Sequence, residues 1–270
     1  MASTLVSFAG GAVTGDGVVT RVESTPDGAV VVVDATPFHP VDHTWPDQPG
    51  DSGEIRMGGD AASVAEAVMA AVSDEGVFAV GRDIPVKRGA EGWTWLVGHR
   101  LVADAPAALA PGASVSLAVD AGRRAGLSRG HTACHLASLA LDLSVAHLWR
   151  KDPGADALGN PDFEGRANQT SRIHEDGAVD EYRLGKSLRR AGFDTEALAA
   201  TIAERESRIN AQLAAWVASA APSRIEAEVR RSWIAAAGTA RCPRARPSSS
   251  AAGRMSNRSP RSPRSRWRWT

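Results

Sequence analysis

Hydrophobic and polar positions change period several times along the chain, and each change predicts an element. Residues 17–24 and 29–35 are runs of β-branched residues flanking Thr25-Pro26-Asp27-Gly28, a turn sequence, so they predict a β-hairpin. Residues 38–53 are dense in Pro, Asp and Gly and predict an irregular loop, the kind of segment that carries function. The alanine-rich run 61–73 predicts a helix, whereas 76–86 and 93–101 predict strands. Residues 105–112, a Pro/Ala/Gly stretch, mark the expected lobe boundary. Beyond it come a short strand, an apolar helix over 127–143, a polar stretch and an amphipathic helix from 195 to about 219. No internal repeat interrupts this order.

These elements divide the chain into a β-rich N-terminal lobe over 1–104, a second domain over 112–234, and a tail over 235–270 expected to be disordered or out of frame. A chain of 270 residues with 43% hydrophobic residues can bury a sizeable core. No uninterrupted apolar run reaches the length of a membrane span, and no basic start followed by an apolar core marks a secretory signal. Two cysteines make no disulfide framework, and the cytoplasm is the expected compartment. The formal charge of zero is uneven. Nine arginines and no acids follow residue 235, leaving the preceding body with 22 basic against 31 acidic residues, a net of about −9. Arg166, Arg172, Arg183, Lys186, Arg189 and Arg190 cluster in sequence. Acids are interleaved with them, so they read either as a mixed solvated face or as a patch touching RNA.

The chemistry centres on His131-Thr132-Ala133-Cys134-His135-Leu136. Two imidazoles four residues apart share a helix face and can point at one metal ion, supplying half of a tetrahedral zinc site. Cys134 lies between them off their shared face and reads as a small buried residue. His39 and His43 are also four apart, but Pro40 rules out the same helical geometry, leaving loop histidines beside Gln48. Phe8-Ala9-Gly10-Gly11 lacks the strand-to-helix setting of a phosphate loop.

Two blocks carry a resemblance. A strand ending in Val119-Asp120, then Arg123-Arg124, then His131-Thr132-Ala133-x-His135-Leu136, resembles the alanyl-tRNA editing proteins, the free-standing relatives of the alanyl-tRNA synthetase editing domain. Phe38-His39-Pro40 leading into Gln48-Pro49-x-Asp51-x-Gly53 is similar to a second segment of that family, in the expected order. A softer likeness joins Asp180-Glu181-Tyr182-Arg183 and Arg208-Ile209-Asn210 to later parts of it. The resemblance spans roughly residues 15–235. It implies the α+β class, with a small β-barrel-like lobe followed by an editing domain of antiparallel sheet and helices, the class II synthetase additional domain. The implied reaction is hydrolysis of the ester joining serine or glycine to the tRNA for alanine, with zinc held by His131 and His135. The implied partner is that mischarged tRNA, and no membrane. Gln48 would be the catalytic hydrogen-bonding group for water, ester or ribose. His39, Asp51 and Thr132 would belong to the substrate-binding region, the last two mainly by fixing its scaffold. A catalytically dead tRNA-binding module and a hydrolase of small esters or amides remain as alternatives.

The sequence departs from the family in three respects. The second ligand pair, a Cys-x-x-x-His about a hundred residues later, is absent: Cys242 stands near the right distance, but residue 246 is Arg and no histidine follows His174. From about residue 234 the chain turns into Ala, Arg, Ser and Pro, as GC-rich codons do when read out of frame. A frameshift near 235–242 accounts for both changes, and an arginine-rich RNA-binding tail is the competing reading. The family's glycine-rich link before the glutamine is also replaced, here by Val41-Asp42-His43-Thr44-Trp45-Pro46-Asp47.

Overall fold

The structure, a computed structural model, describes residues 2–221. The arginine-rich tail, Cys242 and the onset of the tail near residue 234 lie outside the described residues. Within them the chain forms two compact units, residues 2–131 with 171–178, and residues 132–170 with 179–221.

The first unit is built from nine strands: β1 (Leu5–Val6), β2 (Thr14–Thr25), β3 (Gly28–Val33), β4 (Ala35–Thr36), β5 (Gly53–Met57), β6 (Asp60–Ser73), β7 (Phe78–Val80), β8 (Trp93–Leu101) and β9 (Ser114–Val119). Seven of them form one sheet in the order β5-β9-β2-β3-β8-β6-β7, all pairings antiparallel. β5 pairs in addition with β6, Gly53 facing Val64 and Met57 facing Asp60, so the pairings run through six strands and return to β5. The predicted hairpin is β2–β3, with Thr25 opposite Gly28. Gly28 has φ of 110°, a left-handed value that a side chain would strain. Val30, Val31, Val32 and Val33 are completely buried, which explains why β3 is a continuous valine run and not an alternating one. Val31 and Val33 join the main core with Phe38, Ile55, Leu101 and Leu117, while Val32 packs with Ala70, Val72 and Leu96.

Residues 61–73 are strand β6 and not the predicted helix. Alanine favours helix intrinsically, but tertiary pairing decides here. The strand's first half buries Ala62 and Val64 and exposes Ala61, Ser63 and Ala65, a two-residue period. Its second half, Val68–Val72, is buried throughout and pairs with β8 from Val68 opposite Gly98 to Val72 opposite Thr94. The predicted strand 93–101 is β8, whereas 76–86 holds only the three-residue β7 and a short 3-10 turn. Residues 105–112, expected to separate lobes, instead lead from β8 to β9 within the same sheet.

His99 lies on β8 in the core, fully buried. Its Nδ1 is 3.0 Å from the Val31 carbonyl and its Nε2 is 2.8 Å from Thr36 Oγ1, which itself accepts from the Phe38 amide. A carbonyl only accepts, so Nδ1 carries the proton and Nε2 accepts from the Thr36 hydroxyl. This arrangement satisfies a neutral ring completely. Burial pushes the His99 pKa from 6.5 down to about 4. The folded value is depressed, so the unfolded chain binds the proton first. The stability from keeping this ring neutral is whole above pH 6.5 and is lost as pH falls towards 4, by up to about 3 kcal/mol. Urea midpoints of wild type and His99→Gln between pH 7 and pH 4 check this. The wild-type-minus-variant difference is expected to shrink as the pH falls.

The helix α1 (Ala121–Val145) follows β9 directly. Asp120 caps it, its Oδ1 accepting from the Arg123 amide at 3.0 Å. In the second unit come α2 (Glu164–Ala167), the two-stranded sheet of β10 (Asn168–His174) and β11 (Gly177–Tyr182), α3 (Lys186–Arg190), α4 (Thr195–Ala200) and α5 (Ile202–Ala218). The tip of that sheet, 171–178, belongs to the first unit. The predicted helix 195–219 is thus two helices meeting at Thr201, with Asp194 capping the first by accepting from Ala197. Leu141, Val145, Phe163, Leu188, Phe193, Leu198 and Ile209 form the second unit's core. The class is α+β, with a large antiparallel sheet and several helices. Among the described residues no helix is long and apolar enough to cross a membrane.

Candidate active site

Two sequence blocks some eighty residues apart meet in the first unit. Gly50 begins the contact: a methyl there would lie 1.8 Å from the Ala67 carbonyl oxygen, so only glycine lets the 48–51 loop lie against the backbone of β6. Asp51 then pins the loop by backbone and side chain. Its amide donates to the His39 carbonyl at 2.9 Å, its carbonyl accepts from Ala67 at 2.7 Å, and its carboxylate accepts from the His39 amide. Arg124 of α1 reaches the same carboxylate through both Nε and Nη2, the Nε contact being 2.7 Å, and also donates to the Pro37 carbonyl at 2.9 Å. Arg123 adds a bond from Nη1 to the Gly50 carbonyl at 2.7 Å. Asp51 is 1% exposed. Its carboxylate joins the loop to the helix.

With the loop so fixed, Gln48 Oε1 lies 2.6 Å from His131 Nδ1. An amide oxygen only accepts, so Nδ1 carries the proton and Nε2 is the ring's lone-pair nitrogen. Burial lowers the His131 pKa and favours this neutral form. A neutral imidazole with one nitrogen tied to a fixed acceptor suits both a metal ligand and a proton acceptor. Gln48 is itself buried, and its amide oxygen fixes the orientation of the His131 ring. His39 has its ring edge-on to Phe8 at 4.8 Å between centroids, and burial, with further contributions from Arg124 and His131, pushes its pKa down to about 4 against the pull of Asp51. It too is neutral at physiological pH.

Gly130, just before His131, is the point where the helix meets the tip of the β10–β11 sheet. A methyl there would sit 2.2 Å from the His174 carbonyl oxygen and 2.6 Å from that of Gly177. In most helices Gly→Ala stabilises by about 0.5–1 kcal/mol. Here Gly130→Ala is expected to destabilise by about 1–3 kcal/mol through overpacking against backbone, read as a lowered urea midpoint.

The continuing turn of α1 lies in the second unit. His135 is half-buried there and Thr132 is exposed. Cys134 is buried as expected, with Sγ 3.4 Å from Asp180 Oδ2. Tyr182 Oη is 3.5 Å from the same carboxylate. Burial pushes the Glu164 carboxyl up, with Asp180 adding to the effect, and also pushes the Tyr182 hydroxyl up. Asp142, 1% exposed, accepts from the amides of Phe163 and Glu164 at 3.0 and 2.9 Å, and burial lifts its pKa to about 8. This buried acid cluster was not predicted as a group, because its members are scattered from 142 to 182. Asn210 lies on α5.

Zinc takes three or four protein ligands, and His131 and His135 would supply only two. Among the described residues no group of three or more His, Cys, Asp and Glu side chains is placed to hold a metal ion. The described residues thus do not make a zinc site by themselves. No family model and no curated protein matches this chain.

Proposed function

We propose that this chain is a cytoplasmic, trans-acting editing hydrolase that deacylates mischarged tRNA for alanine, its first unit being the barrel-like lobe of that architecture. The observation that carries the reading is the junction of Gln48 with His131 and of Asp51 with Arg124. The residues that gave two separate sequence likenesses are hydrogen-bonded partners, which unrelated coincidences would not require. In the reaction, water adds to the ester carbonyl carbon, the bond to the ribose oxygen breaks, and the amino acid leaves as its carboxylate. Gln48 holds the His131 ring in one tautomer and orientation. Its amide N–H groups remain as donors suited to the ester or the ribose. Zinc stays an expectation of the resemblance, with His131 and His135 as the residues that would hold it and polarisation of the ester as the chemistry it would supply. No step here depends on it.

The shortfall in ligands favours a second reading, a tRNA-binding module without turnover. One experiment separates the two. The full chain is purified with zinc, its metal content is measured, and it is incubated with serine-charged tRNA for alanine. Release of serine, lost in His131→Ala, supports the hydrolase. Salt-dependent tRNA binding without release supports the module. Neither binding nor release would sink both.

A further inference from the structure

The segment 41–47 stands just before Gln48, and its construction implies a purpose. Asp42 organises it: Oδ1 accepts from the Thr44 amide at 2.7 Å, the Thr44 hydroxyl at 2.7 Å and the Trp45 amide at 3.2 Å. Arg88 holds the other carboxylate oxygen at 2.6 Å. His43 turns inward, its ring 5.3 Å from that of Trp95 and its Nε2 3.3 Å from the Val86 carbonyl. Beyond the turn, the Asp47 amide donates to the Trp45 carbonyl at 2.9 Å, and the Asp47 carbonyl accepts from Ile173 at 2.7 Å. Asp42 thus ties the backbone at Thr44 and Trp45 and joins it to Arg88. Trp45 is 48% exposed. A hydrogen-bonded loop that leaves about half of a large aromatic in water loses apolar burial and gains a stacking platform.

We infer that Trp45 stacks on the purine base of a single-stranded 3′-terminal adenosine, holding that nucleoside so that the ester on its ribose meets the Gln48–His131 pair. The inference rests on the proposed hydrolase function and names a substrate contact that function does not specify. Three residues of chain separate Trp45 from Gln48, about 11 Å at full extension, and the base and the ester are attached to one ribose. Stacking also suits an acidic body. A base face is read without a phosphate contact, so this contact does not depend on a basic surface. His43, pointing into the protein, shows that the loop's two aromatic rings have opposite duties.

The test is anisotropy titration of fluorescein-labelled 5′-CCA-3′ into the full chain, beside deacylation of serine-charged tRNA. Trp45→Ala is expected to weaken trinucleotide binding about ten- to hundredfold, whereas Trp45→Phe keeps it within a few-fold. A trinucleotide lacking the terminal base should bind wild type as weakly as CCA binds Trp45→Ala, with little further loss when both changes are combined. In deacylation the alanine variant should raise KM more than it lowers kcat. Unchanged CCA binding by Trp45→Ala, additive losses, or no binding to wild type would each overturn the stacking role. Tryptophan-dependent CCA binding without serine release would uphold the contact and remove the hydrolase reading. Serine release indifferent to Trp45 would do the reverse.

Discussion

Replacing His131 by alanine is expected to lower kcat/KM for serine-charged tRNA by about 10²- to 10⁴-fold, the range spanned by loss of a positioned imidazole. The ring is half-buried at the surface of α1, so the variant should fold. The informative companion is Gln48→Glu. A carboxylate accepting from Nδ1–H would stabilise the imidazolium that burial now disfavours, raising the His131 pKa. Activity that needs the neutral ring is lost below that pKa, so the acid limb of the pH–rate profile should move to higher pH. Gln48→Ala should lower kcat without moving the limb upward. If the limb stays in place in Gln48→Glu, then the hydrogen bond does not govern the reacting ring.

Arg124→Ala is expected to have the largest effect on stability. It would strip both side-chain bonds from a carboxylate that is 1% exposed, and would leave the Pro37 carbonyl without this donor. Removing one partner of a buried ion pair typically costs about 3–5 kcal/mol, because the remaining charge stays desolvated. The pair is not a surface one, with Arg124's side chain 13% exposed. Thermal or urea denaturation should show a cooperative transition displaced by that amount. Asp51→Asn combined with Arg124→Leu should recover part of it, since the orphaned charge is then gone. A loss under about 1 kcal/mol for Arg124→Ala would mean that water reaches the carboxylate.

Much of the site was legible because its residues announce themselves locally. The His131/His135 spacing needs only helical periodicity, and the loop's Pro, Asp and Gly content needs only turn chemistry. The hairpin was legible for the same reason, with β-branched runs on both sides of a turn sequence. What could not be read was set by distant partners. β6 is rich in alanine, and only its pairing with β5 and β8 makes it a strand. The alternation of Ala62 and Val64 with exposed neighbours was present but short, and a helical pattern covered it. Asp51's service as a buried anchor depends on Arg124, seventy-three residues away. Gly130 reads as an indifferent helix residue until the His174 and Gly177 carbonyls arrive beside it. Asp42 gives no local sign of its bonds to Thr44 and Trp45, and its partner Arg88 lies forty-six residues away.

The return of the strand pairings to β5 has a consequence for how this protein behaves in a crowded solution. β5 is paired with β9 on one side and with β6 on the other, so its amides and carbonyls are not offered to other molecules. At the end of the seven-strand order stands β7, three residues long and too short to template much. A strand edge rich in valine and alanine can join others, and the five residue pairs between β5 and β6, from Gly53–Val64 to Met57–Asp60, cover one such edge. Proline placed in that seam is expected to produce aggregates, seen as light scattering, before it produces an unfolded monomer.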